Sequence, residues 1–293
     1  MITFDYFFEL LSSQFMQYAF ISGICIALAC SLLGVSLVLK KQSMIGDGLS
    51  HVGFGACAIA LCIGWAPLGF AIPIVIISSF LILWLAEHSK VLGDSAIAVF
   101  STLALAAGYA STEISKNGSS SEINNYLYGN ILGLDLTSVI MSIIIVVIVV
   151  SVFIILYNKI FTATFDPVFS KSTGTNATII NITISILTSL VVVIGMKLIG
   201  ALLITALIIF PTLSARLIFK TFKHVTIFAA ISSVVAVTIG LFLCCIIDKM
   251  PVGSSIVFTN FFLCVIAFII GKLRPVIKEK KDNKIKKLEK ESK

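Results

Sequence analysis

The stretch Leu136-Thr-Ser-Val-Ile-Met-Ser-Ile-Ile-Ile-Val-Val-Ile-Val-Val-Ser-Val-Phe-Ile-Ile-Leu-Tyr-Asn158 lies between Asp135 and Lys159 and carries no charge. A helix needs about 20 mostly apolar residues to cross the hydrocarbon core of a bilayer. This run is long enough, and it is apolar on nearly every side, as a span in lipid is. Comparable uncharged runs occupy Leu10–Leu39, Ser172–Met196, Val225–Ile247 and Met250–Gly271, with shorter ones at Ser95–Thr112 and Leu198–Ala215. The apolar stretch from Val52 to Ala86 is too long for one helix, and Gly64, Pro67 and Gly69 divide it into two. The reading is an all-α polytopic membrane protein of about nine transmembrane helices, at roughly 15–39, 44–64, 68–87, 94–113, 137–157, 176–196, 199–219, 225–247 and 253–271.

Composition agrees. Of 293 residues, 58% are hydrophobic and 12% charged, and the mean hydropathy is +1.11. Soluble domains carry about 25% charged residues, so an ordinary soluble enzyme, a disordered chain and a disulfide-stapled secreted domain are all excluded. The net charge is +7, and residues 276–293 contribute +4 of it through eight Lys and four acids. The chain therefore divides into an apolar membrane domain, 1–275, and a basic tail, 276–293. A basic tail behind an apolar body points to a membrane surface, not to nucleic acid.

The distribution of Lys and Arg sets the expected orientation. With the N-terminus outside, Lys40, Lys41, Lys90, Lys159, Lys171, Arg216, Lys220, Lys223 and ten more from Lys272 to Lys293 fall inside. Only Lys116, Lys197 and Lys249 fall outside. No secretory signal is evident, because Asp5 and Glu9 precede the first apolar run and no basic n-region does. The seven cysteines all lie in expected spans, without C-x-x-C spacing, and read as small buried hydrophobes. No G-x-x-x-x-G-K-[ST] loop occurs, so uphill movement would draw its energy from a partner or a gradient.

Ionisable groups within spans are costly and mark function. Asp47 and His51, in Met44-Ile-Gly-Asp-Gly-Leu-Ser-His-Val-Gly-Phe-Gly55, are four apart and share one helix face. A carboxylate and an imidazole converging there suit a divalent Zn, Mn or Fe ion as a transported substrate, and no permanently bound cofactor is expected. Gly46, Gly48, Gly53 and Gly55 permit close helix approach around the pair. The alternative is that Asp47 caps a helix and His51 is an ordinary interfacial residue. His88 and His224 read as solvated interface residues.

Two further stretches stand out. Phe165-Asp-Pro-Val-Phe-Ser-Lys-Ser-Thr-Gly174 reads as a short amphipathic helix with an Asp-Pro start and a Gly stop. Its apolar Phe165, Val168 and Phe169 suggest a docking surface or, alternatively, a helix lying on lipid. In the seventh span, Pro211 kinks the helix and Thr205, Thr212 and Ser214 offer small oxygens for packing or for a pathway, while Arg216 snorkels at the inside end.

Together these stretches resemble the membrane permease subunits of the metal-ion branch of ABC importers, which serve zinc, manganese or iron. The family's G-D-A-L-S-H near the second span stands here as Gly46-Asp47-Gly48-Leu49-Ser50-His51. Its F-D-P…A…G stretch is Phe165-Asp166-Pro167 through Gly174, and its V-G-x-L-L-x-x-A-L-L-x-x-P-x-x-x-A-R signature is Ile199-Gly200-Ala201-Leu202-Leu203 through Pro211 and Arg216. Tyr126–Gly133 resembles its outside segment, and Asp248–Gly253 resembles its D-x-P-x-G turn. Gly48 replaces the usual Ala, Gly55 stands where many relatives have Pro, and Ser170 stands where the docking helix often has Ala.

The resemblance implies a permease fold of the vitamin-B12-importer type in a bacterial cytoplasmic membrane. It implies a second permease copy, a separate ABC ATPase docking on Phe165, Asp166, Pro167, Val168, Phe169 and Gly174, and an extracytoplasmic metal-binding protein. It places Asp47 and His51 on the ion route, with Gly46, Gly48, Thr205 and Pro211 as pathway or kink residues. The competing reading is a gradient-driven cation carrier or channel without an ATPase, for which inverted repeats with matching broken helices would be expected. An intramembrane enzyme lacks support, since neither His-Glu-x-x-His nor Gly-x-Ser-x-Gly occurs.

Overall fold

The structure, a computed structural model, describes residues 13–88, 93–114, 126, 129, 133–247 and 250–291. Lys90, Lys116, Asp248, Lys249, most of the Tyr126–Gly133 segment and the side chains of His88 and of the basic tail lie outside the described residues. Within them the order is α1 Gln14–Leu39, α2 Ile45–Ile63, α3 Pro67–His88, α4 Gly93–Ile114, α5 Leu136–Ile155, α6 Tyr157–Phe165, α7 Pro167–Ser172, α8 Ala177–Ile199, α9 Ala201–Ile218, α10 Phe222–Ile246 and α11 Val252–Glu291. Among the described residues nine of these are long and apolar enough to cross a membrane, and each falls on an expected span.

Local signals set the ends. Asp135 caps α5 by accepting from the backbone N–H of Ser138 at 3.0 Å. Asn176 caps α8 through Thr178 N at 3.0 Å. At the end of α1, Lys41 N–H donates to Val38 O at 3.1 Å and Gln42 N–H to Leu37 O at 2.9 Å. That double closure needs a left-handed residue, and Lys41 supplies it at φ 61, where glycine is the usual choice. Between α8 and α9 the chain turns on one residue, Gly200, at φ 91 and ψ 150, a conformation closed to side-chain-bearing L-residues. Helix α8 runs to Ile199, past the expected end at 196, so Lys197 is an exposed residue of its last turn and not of a loop.

The bundle is centred on α1, α2, α8 and α9, which are the most buried spans, whereas α4 and α11 present mostly exposed apolar faces. Helix α2 packs most extensively on α4 and α3, α9 on α11, and α1 on α10 and α5. Small residues set the closest approaches. A Cβ on Gly34 of α1 would stand 2.3 Å from the carbonyl oxygen of Ile208 in α9. One on Gly55 of α2 would stand 2.3 Å from Ala104 O in α4, while Gly108, one turn on, would place its own 2.9 Å from Gly55 Cα. Gly129, in the resembled outside segment, sits at φ 78 against the Ile199–Gly200 turn. Helix α9 continues through Pro211, whose nitrogen has no hydrogen for the Leu207 carbonyl.

Candidate functional site

Helix α2 starts at Ile45, so Asp47 stands in its first turn, where the partial positive charge of the N-terminus favours a carboxylate. The residue at the cap is Met44, without a side-chain bond, so Asp47 is not the N-cap. One turn on, His51 Nε2 lies 3.6 Å from Asp47 Oδ2. The pair converges as the i, i+4 spacing predicts, yet stops short of a direct hydrogen bond. His51 is 20% exposed and Asp47 33%, so the pair opens on one side. The Nδ1 atom of His51 is buried and has no hydrogen-bond partner among the described residues.

Helix α9 supplies the third polar group. Thr205 Oγ1 donates to Asp47 Oδ1 at 3.2 Å, and also lies 3.4 Å from the carbonyl of Ala201. Asp47 thus presents one oxygen to Thr205 and the other to His51. Ile208, one turn beyond Thr205, presses its Cδ1 to 2.6 Å from where a Cβ on Gly46 would stand. The Gly48 position is similarly filled, with Ile97 Cγ2 2.3 Å from the missing Cβ, so the methyl of Ile97 takes the space an alanine would need. Gly53 faces Met196 and Val75, and Gly55 faces Ala104. Among the described residues no group of three or more His, Cys, Asp and Glu side chains comes together, so at this place Asp47 and His51 meet as a pair.

The second candidate segment folds as expected. Asp166 caps α7, its carboxylate accepting from Phe169 N at 2.8 Å, and Pro167 occupies the first helical position. The helix stops at Ser172, and Gly174 at φ 76 closes the turn. Ser170 is buried and donates to Thr175 O at 3.0 Å, a use of the hydroxyl that an alanine lacks. Phe165, Val168 and Phe169 are all more than half exposed, giving an apolar surface on the bundle.

What holds this surface comes from two distant parts of the chain. Helix α6 leaves α5 at Leu156, and aromatic residues recur every fourth position at Phe153, Tyr157, Phe161 and Phe165. Phe222, at the start of α10, receives three of them, with ring centroids 5.3 Å from Tyr157, 5.4 Å from Phe161 and 6.1 Å from Phe165. The period of four was visible in the sequence; Phe222, far along the chain, was not.

His224 is exposed and stacks on Phe219, consistent with an interfacial residue. Thr212 and Ser214 are buried, and Ser214 bonds to its own helix at Phe210 O, 2.8 Å away. All seven cysteines are free and lie in α1, α2, α10 and α11.

Comparison with known proteins adds the family. The model of the ABC 3 transport family matches residues 12–271. The chain is 28% identical over 272 residues to the manganese transport system membrane protein MntC of Halalkalibacterium halodurans, covering 93% of this chain and 92% of that one. It is 28% identical over 249 residues to the high-affinity zinc uptake system membrane protein ZnuB of Haemophilus influenzae, covering 85% and 95%. A solved structure of PsaBC from Streptococcus pneumoniae in complex with Fab superposes with a TM-score of 0.80 at 25% identity, covering 91% of this chain and 95% of that one. Nine apolar helices among the described residues, with these motifs and a matched model over most of the length, place the chain in the ABC 3 transport family, as a membrane permease of the metal-ion ABC importer kind.

Proposed function

We propose that this chain is the permease subunit of an ATP-driven importer that moves a divalent transition metal, zinc, manganese or iron, into the cytoplasm. The observation that carries the reading is the half-open Asp47–His51 pair on α2. Two ligands 2.0–2.1 Å from a tetrahedral ion stand about 3.4 Å apart, and the 3.6 Å between Oδ2 and Nε2 is close to that edge. A mixed carboxylate and imidazole set suits these metals. The remaining coordination positions come from water or from a second copy of the chain facing the open side. An incomplete site suits transport, because an ion bound by a full cage is slow to leave.

In this reading a separate ABC ATPase docks on Phe165–Gly174, whose capped helix and exposed apolar side chains form a rigid contact. An extracytoplasmic metal-binding protein delivers the ion. The N-terminus lies outside and the tail 276–293 inside, as the Lys and Arg distribution indicates.

The test is metal uptake by the reconstituted complex. D47A and H51A should each abolish accumulation while the complex still assembles and hydrolyses ATP. Normal uptake in both variants removes the pair from the mechanism. The competing reading, a gradient-driven carrier or channel, predicts uptake by this chain alone in liposomes without ATP or an ATPase. The importer reading predicts none.

A further inference from the structure

Helices α9, α10 and α11 enclose a groove of about 190 Å³, open along one side and lined by residues that include Ile218, Phe228, Ile231, Val235, Leu263 and Ile270. Its two serines are spent on their own helices, Ser214 on Phe210 O at 2.8 Å and Ser232 on Ala229 O at 3.1 Å. The surface on offer is therefore hydrocarbon. Open along its side, the groove has room for a stretch of one acyl chain.

Three lysines lie within a few positions of the residues at one end of this groove. Ile218 is the last residue of α9, and Lys220 follows two positions on. Lys223 lies in the first turn of α10, ahead of Phe228, and Lys272 follows Ile270 in α11. The backbones of α9 and α11 touch at this level, since a Cβ on Gly271 would stand 2.5 Å from Leu217 O. The aromatic line from Phe228 through Phe219 to His224, with centroid separations of 5.4 and 5.7 Å, ties the groove to the same end. All three lysines are exposed. No Asp or Glu occurs in residues 199–247 or 249–278.

We propose that this groove binds an anionic phospholipid, with an acyl chain along the apolar floor and the headgroup phosphate held by Lys220, Lys223 and Lys272. The match is one of charge and depth. A basic pocket between membrane helices, at the level where the hydrocarbon ends, selects a negative headgroup, and a long lysine stem reaches that level from a helix end. The site is separate from Asp47 and His51 and independent of how the ion is handled.

The test uses the 293-residue chain, incubated in detergent with equimolar phosphatidylglycerol and phosphatidylcholine, then stripped and examined by native mass spectrometry for retained lipid. At about fivefold per lysine near the surface, the wild type should retain phosphatidylglycerol at least tenfold over phosphatidylcholine. The K220Q/K223Q/K272Q variant should lose that preference, and K159Q should keep it. S232L, which fills the groove, should lose the tightly held lipid altogether. Equal retention of both lipids by the wild type, an unchanged preference in the triple variant, or a copurifying protein seated in the groove in place of lipid would overturn the proposal. Unaltered retention by a folded S232L would also do so. The lysine variants, at exposed positions, carry the test on their own.

Discussion

Two glycines on α2, two positions apart, should respond oppositely to the same methyl group. Alanine in place of glycine inside a helix gains about 1 kcal/mol from backbone entropy. At Gly53 the new Cβ would meet Met196 Cε at 3.1 Å and Sδ at 3.5 Å. A thioether end is flexible and can yield by a few tenths of an ångström. At Gly55 the new Cβ would stand 2.3 Å from Ala104 O and 2.8 Å from its carbonyl carbon, which are backbone atoms of α4. They can yield only if the two helices separate by about 1 Å, and overpacking of this sort costs about 1–3 kcal/mol. With no side chain to move, the upper end applies, and the net effect is a loss of about 2 kcal/mol. At roughly 2–4 °C per kcal/mol for a chain of this size, G55A should lower the apparent melting temperature in detergent by roughly 4–8 °C, with G53A at or slightly above the wild type. Because α2 also carries Asp47 and His51, G55A should depress metal uptake beyond what its folded fraction explains. A G55A protein that melts with the wild type, or a G53A protein less stable than G55A, would refute the close-packing argument.

Other outcomes follow from named contacts. T205V removes the hydroxyl that donates to Asp47 Oδ1 at 3.2 Å. A bond to a charged acceptor contributes about 1.5–3 kcal/mol, and discounting for the partly exposed carboxylate leaves about 1 kcal/mol, or roughly fivefold in the metal concentration for half-maximal uptake. T205S should stay near the wild type in the same titration. K41G should raise the apparent melting temperature by roughly 2–4 °C, because the left-handed turn at φ 61 costs a non-glycine residue about 1 kcal/mol. Asp135 accepts from the Ser138 hydroxyl and then from its backbone N–H, which holds its carboxyl below the ordinary carboxylate range. A lowered folded value means the cap is fully formed above that range and is lost as pH falls through the lowered value. Amide-exchange protection of Ser138 should fall in acid in the wild type, while in D135N, which caps without titrating, it should not change with pH.

Much of this architecture was legible because lipid simplifies the code. Uncharged runs near 20 residues mark spans with little else to weigh, and the boundaries of α1 and α2 fall within a residue or so of expectation. The Asp47–His51 pair was legible because its contact is local, one helical turn. Thr205 could be listed only as a pathway or kink candidate, because its bond to Asp47 spans 158 positions and depends on how α9 lies against α2. The bend at Leu156 was hidden for a different reason. The chain stays apolar through Leu156 and Tyr157, so hydropathy carries on past the point where α5 ends and the aromatic contacts with Phe222 take over.

Ile208 joins three helices. Its carbonyl fits into the gap left by Gly34 on α1, and its side chain into the gap left by Gly46 on α2, one turn from the Thr205 that holds Asp47. Helix α9 is thus seated against both α1 and α2 at the level of Ile208. Asp47, His51 and Thr205 therefore sit beside a seam in which α1, α2 and α9 interlock through one residue, so a bulkier side chain at Gly34 or Gly46 would displace α9 and with it the Thr205 hydroxyl.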